Sequence, residues 1–256
     1  MQTTALKKLL DDRAAFYNQP RFIEDDPISV PHRFTLKQDV EIAGFFAAVL
    51  AWGRRTTIIN NANRLMAWMD QAPYQFITQH AEGDLKRFLS FAHRTFNATD
   101  LLYFIDFLKR HYTEKESLES AFLPAAGHSL TIEPHLIHFH RYFFSAEHPQ
   151  RILKHIATPL RNSACKRLCM FLRWMVRQDN RGVDFGLWQE ISAAQLVCPL
   201  DVHVAGVAHR LGLLPHEKSN WKNALLLTEQ LRQMDPQDPV RYDFALFGLG
   251  AEERMS

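Results

Sequence analysis

Between Asn162 and Gly212 the sequence sets cations and a carboxylate on two neighbouring helical segments. Lys166, Arg173 and Arg177 stand at i, i+7 and i+11, which on an α-helix brings them to one face within about 20°. A cationic face of this kind suits phosphate groups, an acidic protein partner, or plain solvation. Leu168, Phe171, Leu172 and Met175 recur at the spacings of a buried face, so a helix is expected from about Ser163 to Gln178. Asp201, just after Pro199 and Leu200, opens a second helix, where a short carboxylate accepts the first-turn N–H groups. Val204, Val207, Ala208 and Leu211 supply its apolar face, and Gly212 a left-handed stop. Capping does not exclude a second role for the Asp201 carboxylate.

The segment PLDVHVAGVAHRLGLL resembles the helix-hairpin-helix DNA glycosylases, in which a catalytic aspartate after an apolar residue opens a helix of the form V-D-x-H-V-x-R. In that superfamily an upstream lysine attacks C1′ of the damaged nucleotide. The matching residue is Lys166, 35 positions before Asp201, a separation that resembles the archaeal 8-oxoguanine glycosylase branch. The whole chain also resembles an uncharacterised bacterial family related to this superfamily. One departure stands out: the Leu-Pro-Gly-x-Gly turn that precedes the lysine in the superfamily is replaced by Arg161-Asn162-Ser163-Ala164-Cys165.

The resemblance implies catalytic roles for Lys166 and Asp201. A lysine is a nucleophile only as the free amine, a form favoured by partial burial and nearby cations, with Arg167 and Arg173 as candidate neighbours. An ionised aspartate stabilises developing oxocarbenium charge on the sugar or helps activate the amine. Loss of the base leaves a Schiff base, from which β-elimination nicks the strand. DNA contact falls to Arg54, Arg55, Arg167, Arg173, Arg177 and His203. The corner Trp52-Gly53-Arg54-Arg55 stands where the superfamily has L-S-x-Q-x-T facing the DNA. Asp243 and Phe247, one turn apart on the last helix, match the aspartate and aromatic that hold the extruded base, with Trp52 as a third pocket residue.

The elements that must position these residues are helical throughout. Helical periods run from Gln38 to Trp52, Thr57 to Met69, Pro73 to His80, Asp100 to Tyr112 and Trp221 to Arg232. Thr99 is the expected cap of the fourth, and Asp238-Pro239 the expected start of a final helix that stops at Gly248 or Gly250. An opening helix from Thr4 to Tyr17 places Leu6, Leu9, Leu10 and Phe16 toward the core. Leu123-Pro124-Ala125-Ala126-Gly127 punctuates a loop. No strand-like alternation of useful length occurs.

At 256 residues, 46% hydrophobic and 23% charged, the chain is long enough for a full core and ordinary for a globular protein. Its net charge is +2, but residues Arg151 to Gly182 hold eight Lys or Arg against one acid, Asp179, so basic charge gathers beside Lys166. The three cysteines, Cys165, Cys169 and Cys198, argue against a disulfide framework, and none lies late enough for the C-terminal iron–sulfur cluster of some glycosylases. His135, His138 and His140 lack the further ligands of a zinc site, so no metal and no cofactor is expected. Gly-rich phosphate loops, nucleophile elbows and zinc-protease helices are missing, which removes support for ATPase, serine hydrolase and zinc protease chemistry.

The expectation is an all-α, two-lobed glycosylase-like fold with a cleft between lobes. One lobe would span 40–179 and the other 1–39 with 180–256. The partner expected is DNA, as damaged duplex or single strand, with no membrane, and the protein a cytoplasmic monomer. The expected activity is a glycosylase and lyase acting on an oxidised purine, with 8-oxoguanine the leading substrate. Two rivals stand beside it: a non-catalytic nucleic-acid-binding relative and a scaffold whose cationic face meets an acidic protein.

Overall fold

In the computed structural model, which describes residues 3–125 and 129–251, helices carry nearly all the regular structure. The only paired strands among the described residues are two residues each, Ala92–His93 and Phe96–Asn97. None of the described helices is long and apolar enough to cross a membrane. The loop expected at 123–127 is irregular through Ala125, and its last two residues lie outside the described residues.

The chain clusters into two units. One comprises 1–22, 125–137 and 157–256, the other 23–124 and 138–156. Against expected lobes of 40–179 and 1–39 with 180–256, residues 23–39 fall in the second unit, and residues 125–137 and 157–179 fall with the two ends of the chain.

In the first unit, α1 (Thr3–Tyr17) packs on α10 (Asp243–Ala251), and α10 packs on α8 (Val202–Arg210). Phe244, Ala245, Leu246 and Leu249 are all buried, because α10 is apolar on every side and a helix of that composition belongs inside. The expected stop at Gly248 or Gly250 does not occur within the described residues, where α10 runs through both to Ala251. Instead Gly248 lets α1 approach: a Cβ there would sit 2.1 Å from the Tyr17 ring. Leu6 and Leu10 of α1 are buried as expected, but Phe16 is 48% exposed, with the Arg21 guanidinium 4.2 Å from its ring centre.

The basic helix is shorter than its periodicity suggests. It forms α7 (Lys166–Val176), because Asn162 (φ 54°) and Cys165 (φ 51°) both turn left-handed and delay its start. At its other end the carbonyls of Trp174 and Met175 accept from the N–H groups of Phe185 and Trp188, so the returning loop closes the helix. α8 starts where the sequence reading puts it, and it ends on a Schellman turn. Gly212 (φ 75°) donates to His209 O and Leu213 to Ala208 O.

The second unit is built around α2 (Lys37–Leu50), whose residues from Val40 to Leu50 are all buried. α3 (Arg55–Trp68), α4 (Pro73–Gln79) and α5 (Ala98–Glu114) surround it, together with the second half of α6 (Glu133–Phe143). Phe45, Phe104, Phe107, Phe139 and Phe143 make a continuous aromatic core. α5 is capped by Asn97 rather than Thr99. Its side chain accepts from Asp100 N while the Asp100 carboxylate accepts from Asn97 N, a reciprocal box that Thr99 sits too late to form. Buried Glu41 of α2 is satisfied by Tyr112 Oη at 2.8 Å, Ser117 Oγ at 2.5 Å and Leu118 N at 3.0 Å.

Candidate active site

Lys166 is the first residue of α7, and Asp201 caps α8. The loop between them returns the chain so that Lys166 Nζ lies 2.8 Å from Asp201 Oδ2, both side chains about one-quarter exposed. The two oxygens of Asp201 divide the work. Oδ1 accepts from His203 N at 3.0 Å and Val204 N at 2.9 Å, fixing the carboxylate to the helix, while Oδ2 is left for the lysine. Burial pushes the Asp201 carboxyl up, but the Lys166 ammonium and the Val204 N–H outweigh it, and the net effect is below the usual carboxylate range. The arrangement holds an anion against an amine at a partly open position.

The turn ahead of Lys166 works without glycine. Left-handed Asn162 turns the chain, and its backbone O and side-chain Oδ1 accept from Trp221 N and Lys222 N at the start of α9 (Trp221–Met234). Ser163 Oγ accepts from Cys165 N.

Arg173 and Arg177 do not form an open phosphate-binding stripe. They are 4% and 3% exposed, and side chains so enclosed cannot reach a phosphate in this conformation. Arg173 pairs with Asp184 at 3.2 Å and, more closely, with Asp243. Arg177 pairs with Asp179 at 2.8 Å, Asp184 at 3.0 Å and Asp238 at 2.8 Å. Both guanidinium groups also lie over the Phe244 ring. Two guanidinium groups against four carboxylates leave the cluster acidic. Burial raises Asp238, and it pushes Asp243 up to about 6 against the opposing pull of Arg173 and Lys166. The last helix starts at Asp243 rather than at Asp238-Pro239, which opens a 3-10 turn, Pro239–Tyr242, with no side-chain cap; Asp238 Oδ2 accepts from Arg177 Nε instead.

Asp243 also feels the charges of Lys166 and Asp201, which ties it electrostatically to that pair. Phe247, one turn further along α10, is half-buried, its ring 5.9 Å from that of Phe22. His203 is exposed on the first turn of α8, and Arg167 is half-exposed beside Lys166, its guanidinium made less basic by burial. Trp52, Arg54 and Arg55 belong to the second unit, where Trp52 and Arg55 are half-buried and Arg54 exposed. The thiols are buried: burial pushes Cys165 up to about 12 and raises Cys169 and Cys198 well above the usual range, so all three stay protonated. Among the described residues no group of three or more His, Cys, Asp or Glu is placed to hold a metal ion. Sequence reasoning missed Asp184, which both arginines use. It sits in an irregular loop with no period to mark it, and only the surplus of cations on α7 called for a buried counter-charge.

A family model with the description protein of unknown function (DUF2400) matches residues 26–252. The chain belongs to the DUF2400 family. The match takes in Lys166, Asp201, Asp243 and Phe247 of the first unit and, separately, the Trp52 corner of the second. No curated protein and no solved structure matches the chain. A DUF2400 site is therefore to be read from its own chemistry.

Proposed function

We propose that this DUF2400 protein is a DNA glycosylase with lyase activity, acting on an oxidised purine, with 8-oxoguanine the leading substrate. The observation that carries the reading is the contact of Lys166 Nζ with Asp201 Oδ2, the pair of residue types and the order that the helix-hairpin-helix glycosylases use. The two-lobed helical architecture of that superfamily is part of the same proposal.

As a free amine Lys166 attacks C1′. The glycosidic bond breaks, and the base departs with the bonding pair and takes up a proton. Ionised Asp201 offsets the positive charge that develops on the sugar, and its helix-fixed geometry means that it need not reorganise to do so. One proton of the attached amine passes by way of the Asp201 carboxylate to the ring oxygen as the C1′–O4′ bond breaks, which opens the sugar to the protonated Schiff base. Abstraction of a C2′ proton then expels the 3′ phosphate. Phe247 is the group proposed to meet the extruded base, through its ring; Asp243, 5% exposed and paired with Arg173, would hydrogen-bond the base only by giving up that partner.

The second reading, a non-catalytic DNA-binding relative, draws on the same contact, since an ammonium tied to a carboxylate is not a nucleophile. Release of free base separates the two. Incubated with a duplex carrying one 8-oxoguanine, the protein should liberate that base at a rate that Lys166→Gln abolishes. DNA binding with no base released from this or other oxidised-purine duplexes would favour the non-catalytic relative.

A further inference from the structure

In the second unit, the corner between α2 and α3 meets the turn of the 92–97 hairpin. Arg94 opens that two-residue turn with φ 56°, a left-handed conformation that glycine adopts freely and arginine at a cost. Its guanidinium carbon lies 4.7 Å from the centre of the Trp52 ring. Below it Gly53, at φ 109°, has no side chain, and a Cβ there would come within 3.0 Å of Arg94 Nη1. The left-handed arginine and the glycine thus fit each other: one aims the guanidinium and the other leaves room for it.

The platform under the arginine is held firmly. His93 is 2% exposed, and Asn61 Nδ2 donates to its Nδ1 at 2.8 Å, which leaves Nε2–H to donate to Trp52 O at 3.3 Å. The His93 ring also meets the Trp52 indole edge-on at 5.9 Å. This relay joins the hairpin to the corner through one buried imidazole. Arg94 and neighbouring Arg54 are exposed, and among the described residues no carboxylate pairs with either.

Stacking on an indole occupies the face of a guanidinium and leaves its N–H edge free, the fork that binds two phosphate oxygens at once. One arginine stacked on a rigid aromatic base, with a second exposed arginine two residues along the chain from that tryptophan, is suited to successive phosphates of a polyanion. We propose that Arg94, stacked on Trp52 and seated over Gly53, forms with Arg54 a phosphodiester clamp for a nucleic-acid strand. The inference rests on DNA as the partner and adds the 92–97 hairpin to the contact surface.

The test is binding of labelled, undamaged single-stranded and duplex oligonucleotides by the full chain across a salt series. Arg94→Ala should weaken binding roughly five- to tenfold and lower the salt slope by about one. Arg94→Lys should recover only part of the loss. Arg94→Gly relieves the left-handed turn, so it should unfold at the same or a higher temperature than wild type yet bind as weakly as Arg94→Ala. Gly53→Ala, which pushes the guanidinium away, should weaken binding in the same direction, and Arg110→Ala, on α5, should not. If the wild type binds DNA and the Arg94 variants bind equally well with the same slope, the clamp is wrong while the DNA reading stands. If the wild type binds neither oligonucleotide, both are wrong. Arg94-dependent binding to anionic phospholipid vesicles without oligonucleotide binding would also overturn the clamp.

Discussion

Lys166 and Asp201, 35 positions apart, meet at 2.8 Å through the one carboxylate oxygen that the α8 cap does not use. The structural and the proposed chemical roles of Asp201 thereby become separable. Asparagine caps nearly as well as aspartate, whereas alanine does not cap. Asp201→Asn should leave stability within about 1 kcal/mol of wild type, the range of a partly exposed ion pair, while Asp201→Ala should lose about 1 kcal/mol more. Both should lose base excision. Urea unfolding beside a base-release assay checks this, and an active Asp201→Asn variant would refute the electrostatic role.

The buried arginines should report on stability rather than on DNA. Arg173→Ala leaves buried Asp243 without its partner and Asp184 with Arg177 alone, and should cost about 3–5 kcal/mol in chemical denaturation. Arg177→Ala, where the protein remains folded, should leave the salt slope of DNA binding unchanged. A slope lowered by about one would mean that Arg177 reaches phosphate after all.

Two aspartates should push the pH dependence in opposite directions. Asp201 is held below its ordinary value, so its stabilisation is present above the unfolded-state pKa and is lost as pH falls through the folded one. Asp243 is raised to about 6, so its contribution is full below the unfolded-state pKa near 4 and is lost as pH rises through about 6. Denaturation at pH 5 and pH 7 should show a smaller loss between the two in Asp243→Asn than in wild type. Equal losses would mean that Asp243 does not titrate in this window.

Packing of α1 on α10 depends on one missing methyl group. Gly248→Ala forces a carbon into the Tyr17 ring and should destabilise the fold by about 1–3 kcal/mol. Gly83→Ala, where an added Cβ meets nothing within 4 Å, should be close to neutral in the same thermal-unfolding comparison.

Much of the helical architecture was legible because it is local. The apolar period of α7, the carboxylate opening α8 and the glycine ending it each act within a few residues. The fate of the cations was not legible, since burial of Arg173 and Arg177 is decided by Asp184, Asp238 and Asp243, and two of these lie in segments without a helical period. For the same reason Asp238 looked like a cap, as its distant partner Arg177 leaves no mark in the local sequence. The turn before α7 concealed its geometry by using left-handed Asn162 and Cys165 where glycine would have announced it. Arg94 was equally hidden, because its place over Trp52 depends on a two-residue turn forty positions further along the chain.

The central claim is that Lys166 is the nucleophile, and borohydride trapping tests it most directly. A duplex containing 8-oxoguanine and a duplex containing an abasic site are each incubated with the protein and borohydride, beside Lys166→Gln. The account predicts a covalent protein–DNA adduct with both duplexes that disappears in the variant. Tight, salt-sensitive binding with no adduct from either duplex, or an adduct that survives Lys166→Gln, would contradict it.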